Sequence, residues 1–135
     1  MMYLAKNLKQ FSAYASLPLR LALGVVFVAH GLQKLQAPDM VSGFFISIGF
    51  PGWMGAFVGS MELLGGVLLL IGLFTRYAAL IISIIMVVAI LKLKLTKGII
   101  NGFELELALL GGALALLLLG PGKLSLDNDL LKKEF

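Results

Sequence analysis

Cysteine is missing from this chain of 135 residues. Its absence excludes disulfides, thiol relays, thiolate metal sites and covalent haem attachment. Histidine occurs once, as His30, which excludes a bis-imidazole haem site as well. No metal site is expected. Charge is also scarce: Asp, Glu, Lys and Arg make up 13% of the chain, too little to clothe a soluble domain in polar surface. No cleavable leader is expected, because the first apolar run begins late and no small-residue cleavage site follows it. The net charge of +4 fits Lys and Arg at the ends of membrane helices and not a nucleic-acid face. Any redox role would have to use a bound organic molecule or a partner subunit.

What the chain has instead is apolar length. Hydrophobic residues make up 60% of it and the mean hydropathy is +1.03. This is the balance of an integral membrane protein whose main partner is the lipid bilayer, and the length allows one domain over residues 1–135. The pattern predicts an all-α membrane bundle of four spans at about residues 17–35, 53–74, 77–95 and 103–120. Ser16 reads as the cap of the first span, with Pro18 in its first turn. Before it, Leu4, Leu8, Phe11 and Ala15 recur at helical spacing beside Lys6 and Lys9, as in a helix lying on the membrane surface. Between the first two spans, residues 40–50 are apolar but too short to cross, and read as an interfacial or shallow re-entrant piece. Gly120-Pro121-Gly122 stops the last span.

Four spans put both termini on one side. Lys6, Lys9, Arg20, Arg76, Lys123, Lys132 and Lys133 then share that side, and Lys34, Lys92, Lys94 and Lys97 the other. The bias of basic residues places the termini in the cytoplasm.

Glu62 is the residue that draws most attention. It lies within the second apolar run, where an ionisable group costs roughly 2.5–3.5 kcal/mol on insertion scales and is presumed to face inward. At about 100° per residue, Gly55, Gly59, Glu62 and Gly66 share one face of that span. Gly55 and Gly59 form a GxxxG pair, which lets helices approach closely. Arg20, Gly24, Phe27, Gly31 and Lys34 share a face of the first span, with His30 at its edge. On the fourth span Glu104, Ala108, Gly111 and Ala115 line up in the same way, and Glu106 points elsewhere, toward the headgroups. These three stripes are expected to meet. His30, Lys34, Glu62 and Glu104 would then line one cavity at the end opposite the termini, with His30 as the partner of Glu62. Arg20, Arg76 and Asp127 would gather at the other end, the arginines holding the tail through the carboxylate of Asp127. Each residue also has a plain structural reading. Glu62 could be an assembly device, Lys34 a side chain reaching the headgroups, Glu104 a helix-start acid.

The ordered set of motifs resembles the DoxX family of small four-helix membrane proteins. The matching residues are Arg20 and Gly24, His30-Gly31-Leu32-Gln33-Lys34, Phe44 through Gly49 with Pro51, and Glu62-Leu63-Leu64-Gly65-Gly66 with Gly72, Thr75 and Arg76. Gly102-Phe103-Glu104 and Gly120 through Asp127 complete it. One departure is Asn101-Gly102, where the family often has Gly-Gly. The resemblance implies a four-helix bundle in a bacterial cytoplasmic membrane and a setting of quinone-linked oxidation. The expected function is a membrane subunit or accessory of a redox system, binding a quinone or similar lipophilic molecule in a polar pocket. The alternative is a non-enzymatic lipid or small-molecule binder, carrier or assembly chaperone using the same pocket. A redox partner subunit and a homo-oligomer are both compatible with it.

Overall fold

A computed structural model describes every residue except Glu134. The chain is helical throughout: α1 (Met2–Lys9), α2 (Ser16–Gln36), α3 (Pro38–Ser47), α4 (Trp53–Ile71), α5 (Thr75–Ala89) and α6 (Glu104–Leu119). Four stretches are long and apolar enough to cross a membrane: Ser12–Gln36, Trp53–Ile71, Thr75–Lys97 and Ile99–Leu119. The expected four-span bundle is therefore present. α3 has 10 residues and cannot span. α1 buries no residue and carries Leu4 and Leu8 exposed, with Phe11 exposed just past its end.

Several ends differ from the sequence expectation, each for a local reason. Ser16 is the first residue of α2 and not its cap. The backbone is already helical at Ala15, after a 3-10 turn over Ser12–Tyr14, and no side chain caps it. α4 stops at Ile71, short of residue 74, in a Schellman motif. Gly72 takes a left-handed conformation (φ 68°), Leu73 donates to the Leu68 carbonyl at 3.0 Å and Gly72 to that of Leu69 at 3.2 Å, as such ends require. α5 begins at Thr75, and its α-helical geometry ends at Ala89. The chain continues as π-helix over Ile90–Lys94 and a 3-10 turn over Leu95–Lys97.

Two close helix pairs build the bundle, α2 with α4 and α5 with α6. α2 and α4 meet through glycines. A Cβ on Gly31 would lie 2.5 Å from the Leu63 nitrogen and 2.7 Å from the Gly59 carbonyl oxygen, and one on Gly66 would lie 2.7 Å from the Val28 nitrogen. Backbones this close gain dispersion contacts that bulkier residues would prevent. Gly24 and Gly59 belong to the same seam, whereas Gly55 faces Val41 of α3. Gly111 does not: nothing lies within 4 Å of its Cβ position, whereas Gly112 faces Leu19 and Leu23 of α2. α6 thus packs through Gly112, Ala113 and Leu116, and the stripe of Ala108 and Gly111 faces outward. The helical phase read from small residues is wrong for α6, because lipid accepts small and large apolar residues alike and the stripe carries no directional signal there. Leu23, Phe27, Leu69, Ile82 and Leu116 form the centre of the core.

Candidate functional site

Polar groups gather at both ends of the bundle. At the end carrying the termini, Arg20 is completely buried. Its guanidinium donates to the carbonyls of Leu69 at 3.3 Å, Lys123 at 3.3 Å and Leu124 at 2.7 Å. Arg76 donates to the carbonyls of Leu117 and Leu118 at 2.5 and 3.0 Å. Asp127, also completely buried, accepts from the backbone N–H groups of Phe74 and Thr75 at 2.9 and 3.0 Å. It caps the start of α5. The backbone N–H of Asp127 donates to the Gly72 carbonyl at 2.9 Å. The expectation that the arginines grip Asp127 directly is corrected. All three residues lie at this end, but Arg20 and the Asp127 carboxylate bond to backbone and not to each other, because the turns at Gly72 and Gly120 leave carbonyls and N–H groups there that need partners.

At the opposite end lies a cavity of about 290 Å³, close to the lower limit for ligand sites. Phe27, Phe44, Phe45 and Phe50 supply aromatic wall, and His30, Lys34, Glu62, Lys92 and Glu106 are its charged or titratable members. Glu62 is buried, at 3% exposure, and bonds Lys34 Nζ at 2.7 Å. Lys94 Nζ bonds Glu106 Oε1 at 2.9 Å. The other oxygen of Glu106 is buried without a hydrogen-bond partner among the described residues.

His30, Lys34 and Glu62 all stand on this cavity, but not in the expected pairing. Lys34, and not His30, holds Glu62. The seam of Gly24, Phe27 and Gly31 continues to Lys34 at helical spacing, and that seam faces α4. His30 lies one residue off it and is largely exposed. Glu104 is not part of the cavity lining. It is exposed and accepts from the Asn101 N–H at 3.1 Å, as a helix-start acid does. Glu106, expected to point to the headgroups, takes its place on the wall. The argument applied to Glu62 covers it too: an acid inside an apolar run seeks an interior partner. Lys94, inside the preceding run, was the matching signal.

The profile of the DoxX family matches residues 15–95. The chain belongs to the DoxX family. Among relatives of this DoxX chain is the Bacillus subtilis protein named "Putative oxidoreductase CatD", 35% identical over 117 residues, 87% of each chain. A membrane protein of Mycobacterium tuberculosis is 36% identical over 131 residues, covering 85% of this chain and 80% of that one. An Escherichia coli inner membrane protein, YqjF, is 27% identical over 129 residues, 93% of this chain and 99% of the relative. No solved structure matches. The family match spans α2 to the π-helical turn after α5, and so includes His30, Lys34, Glu62 and Lys92. Glu106 lies beyond it.

Proposed function

We propose that this DoxX protein binds a quinone or a similar lipophilic molecule in the cavity, as the membrane subunit or accessory of a redox system. The observation that carries the reading is the pairing of aromatic wall with the part-buried contact of Lys34 with the buried Glu62. A quinone ring needs apolar faces and hydrogen-bond donors at its carbonyl oxygens. Phe27, Phe44 and Phe45 offer the first. Lys34, which has donors beyond the one given to Glu62, and His30 offer the second. A bound quinone would supply the capacity to take up electrons and protons. Within the chain, the two ring nitrogens of His30 can give and accept hydrogen bonds at the cavity, and Glu62 holds Lys34 in place. Electrons would come from a partner subunit. The relative named for an oxidoreductase supports a redox setting.

Purification from native membranes, followed by lipid extraction and mass spectrometry, tests the reading. A quinone at near-stoichiometric level is expected, and its loss in the double variant Lys34→Met/Glu62→Leu. A phospholipid in its place would favour the carrier reading. An empty extract from protein that also takes up no added quinone would overturn both.

We also infer that the protein sits in a bacterial cytoplasmic membrane with its termini inside. The distribution of lysine and arginine supports this, as do relatives named as membrane proteins. Cysteines placed at positions 6 and 97 should label from opposite sides. Equal labelling of both from outside would refute the topology.

A further inference from the structure

Both acids of the cavity wall are already taken by lysines, Glu106 by one from outside the lining, and this leaves one lining cation over. Glu62 is engaged by Lys34 at 2.7 Å and Glu106 by Lys94 at 2.9 Å. Lys92 also lines the cavity. Among the described residues it has no carboxylate within ion-pair distance. Its ammonium instead lies 5.5 Å from the centroid of the Phe50 ring, which in turn packs beside Phe45 at 6.2 Å. Such a contact at an exposed site is weak and is readily exchanged for a full negative charge. Lys92 is held there by the π-helical turn over Ile90–Lys94, a geometry that recurs at functional sites. One oxygen of Glu106 is held by Lys94 and the other is buried without a partner among the described residues, so this acid gives Lys92 no ion pair.

We propose that the cavity selects an acidic quinonoid ring, one carrying a single negative charge at neutral pH, over its neutral counterpart, and that Lys92 makes the distinction. The aromatic wall receives the ring, the Lys34–Glu62 contact stays intact, and the anionic oxygen takes the place of the Phe50 ring as the partner of the Lys92 ammonium. This rests on reading the cavity as a quinone site, and the test separates the two claims.

The full chain is placed in nanodiscs of phosphatidylcholine, so that no anionic lipid competes. Binding of 2-hydroxy-1,4-naphthoquinone, ionised at neutral pH, is compared with that of its neutral 2-methoxy analogue by equilibrium dialysis against empty discs. The hydroxy compound is expected to bind about tenfold more tightly, the size of a charge contact at a partly solvated site. Lys92→Met should bring the two to parity, with its melting temperature unchanged because the side chain is exposed. Lys92→Arg should keep the preference. Equal binding by the wild type, or a preference that survives Lys92→Met, overturns this inference and leaves the quinone site standing. Binding of neither compound overturns the quinone reading and this inference with it. Displacement of the hydroxy compound when phosphatidylglycerol is added to the discs would show Lys92 to be an anchor for lipid phosphate, and would also overturn it.

Discussion

α2 carries a cation toward each end, Arg20 buried and Lys34 partly exposed, and the two differ in what they hold. Arg20 donates to three backbone carbonyls from two distant segments, Leu69 at the end of α4 and Lys123–Leu124 in the tail. Lys34 donates to a carboxylate, and both groups border open space. The first arrangement is closed: Arg20 and Asp127 are completely buried and neither lines the cavity. The second leaves donors facing a volume in which a molecule can sit. Burial of charge within a membrane protein therefore does not by itself mark function. What separates the two ends is whether the charged group's hydrogen bonds all end on the protein's own backbone.

Removing each cation in turn should separate the two ends most strongly. Arg20→Met should strand the buried carbonyl of Leu69 and the part-buried ones of Lys123 and Leu124, and lower stability by about 3 kcal/mol, taking each lost partner at about one. Folded molecules that remain should still bind ligand at the far end. Thermal unfolding in detergent, with ligand content scaled to folded protein, measures both. Lys34→Met should cost about 3 kcal/mol by leaving Glu62 buried and alone. The added change Glu62→Leu should restore that stability, since an apolar pair replaces an ion pair at little cost, and yet leave no bound ligand. If the double variant binds like the wild type, the ion pair at the cavity is as purely structural as Arg20.

The glycines give a smaller effect with the same logic. Gly31→Ala places a methyl group against the backbone of Leu63 and Gly59, where neither can yield without moving a helix. A loss of about 2 kcal/mol is expected, as for other overpacked sites. Gly111→Ala meets nothing and should leave the melting temperature unchanged or slightly higher, because alanine favours the helix. A matched loss in both would mean that α6 uses its outward stripe in an interface with another chain.

These residues also show how far the sequence could be read. Long apolar runs give spans because a bilayer admits few alternatives, so the four helices were legible, as were the seam of Gly24, Gly31, Gly59 and Gly66 and the inward direction of Glu62. Partner choice was not. Whether Lys34 or His30 reaches Glu62 depends on how α2 and α4 slide along each other, and only the contact of Gly31 with Gly59 and Leu63 fixes that. The phase of α6 was misread because its small residues face outward. The cap supplied by Asp127 to α5 joins residues more than fifty positions apart, and nothing local announces it.

The exchange of Glu104 for Glu106 on the cavity wall offers the finest test, because the two acids stand two residues apart on one helix. Glu104 accepts one backbone N–H at the start of α6 in an exposed position. Glu104→Ala should cost about 0.5 kcal/mol, the usual loss at such a helix end, with ligand binding unchanged. Glu106→Gln keeps shape and some hydrogen bonding to Lys94 but removes the charge that holds it. Lys94 is then left as a second uncompensated cation beside Lys92. If Lys92 selects for negative charge in the ligand, Glu106→Gln should widen that selection, binding the hydroxynaphthoquinone more tightly than the wild type does while the neutral analogue is little affected. The gain should fade as salt rises from 0.05 to 0.5 M, since the added field reaches the ligand partly through water. An unchanged ratio in Glu106→Gln, or a change in ratio in Glu104→Ala, would place the wall of the cavity on the other face of α6.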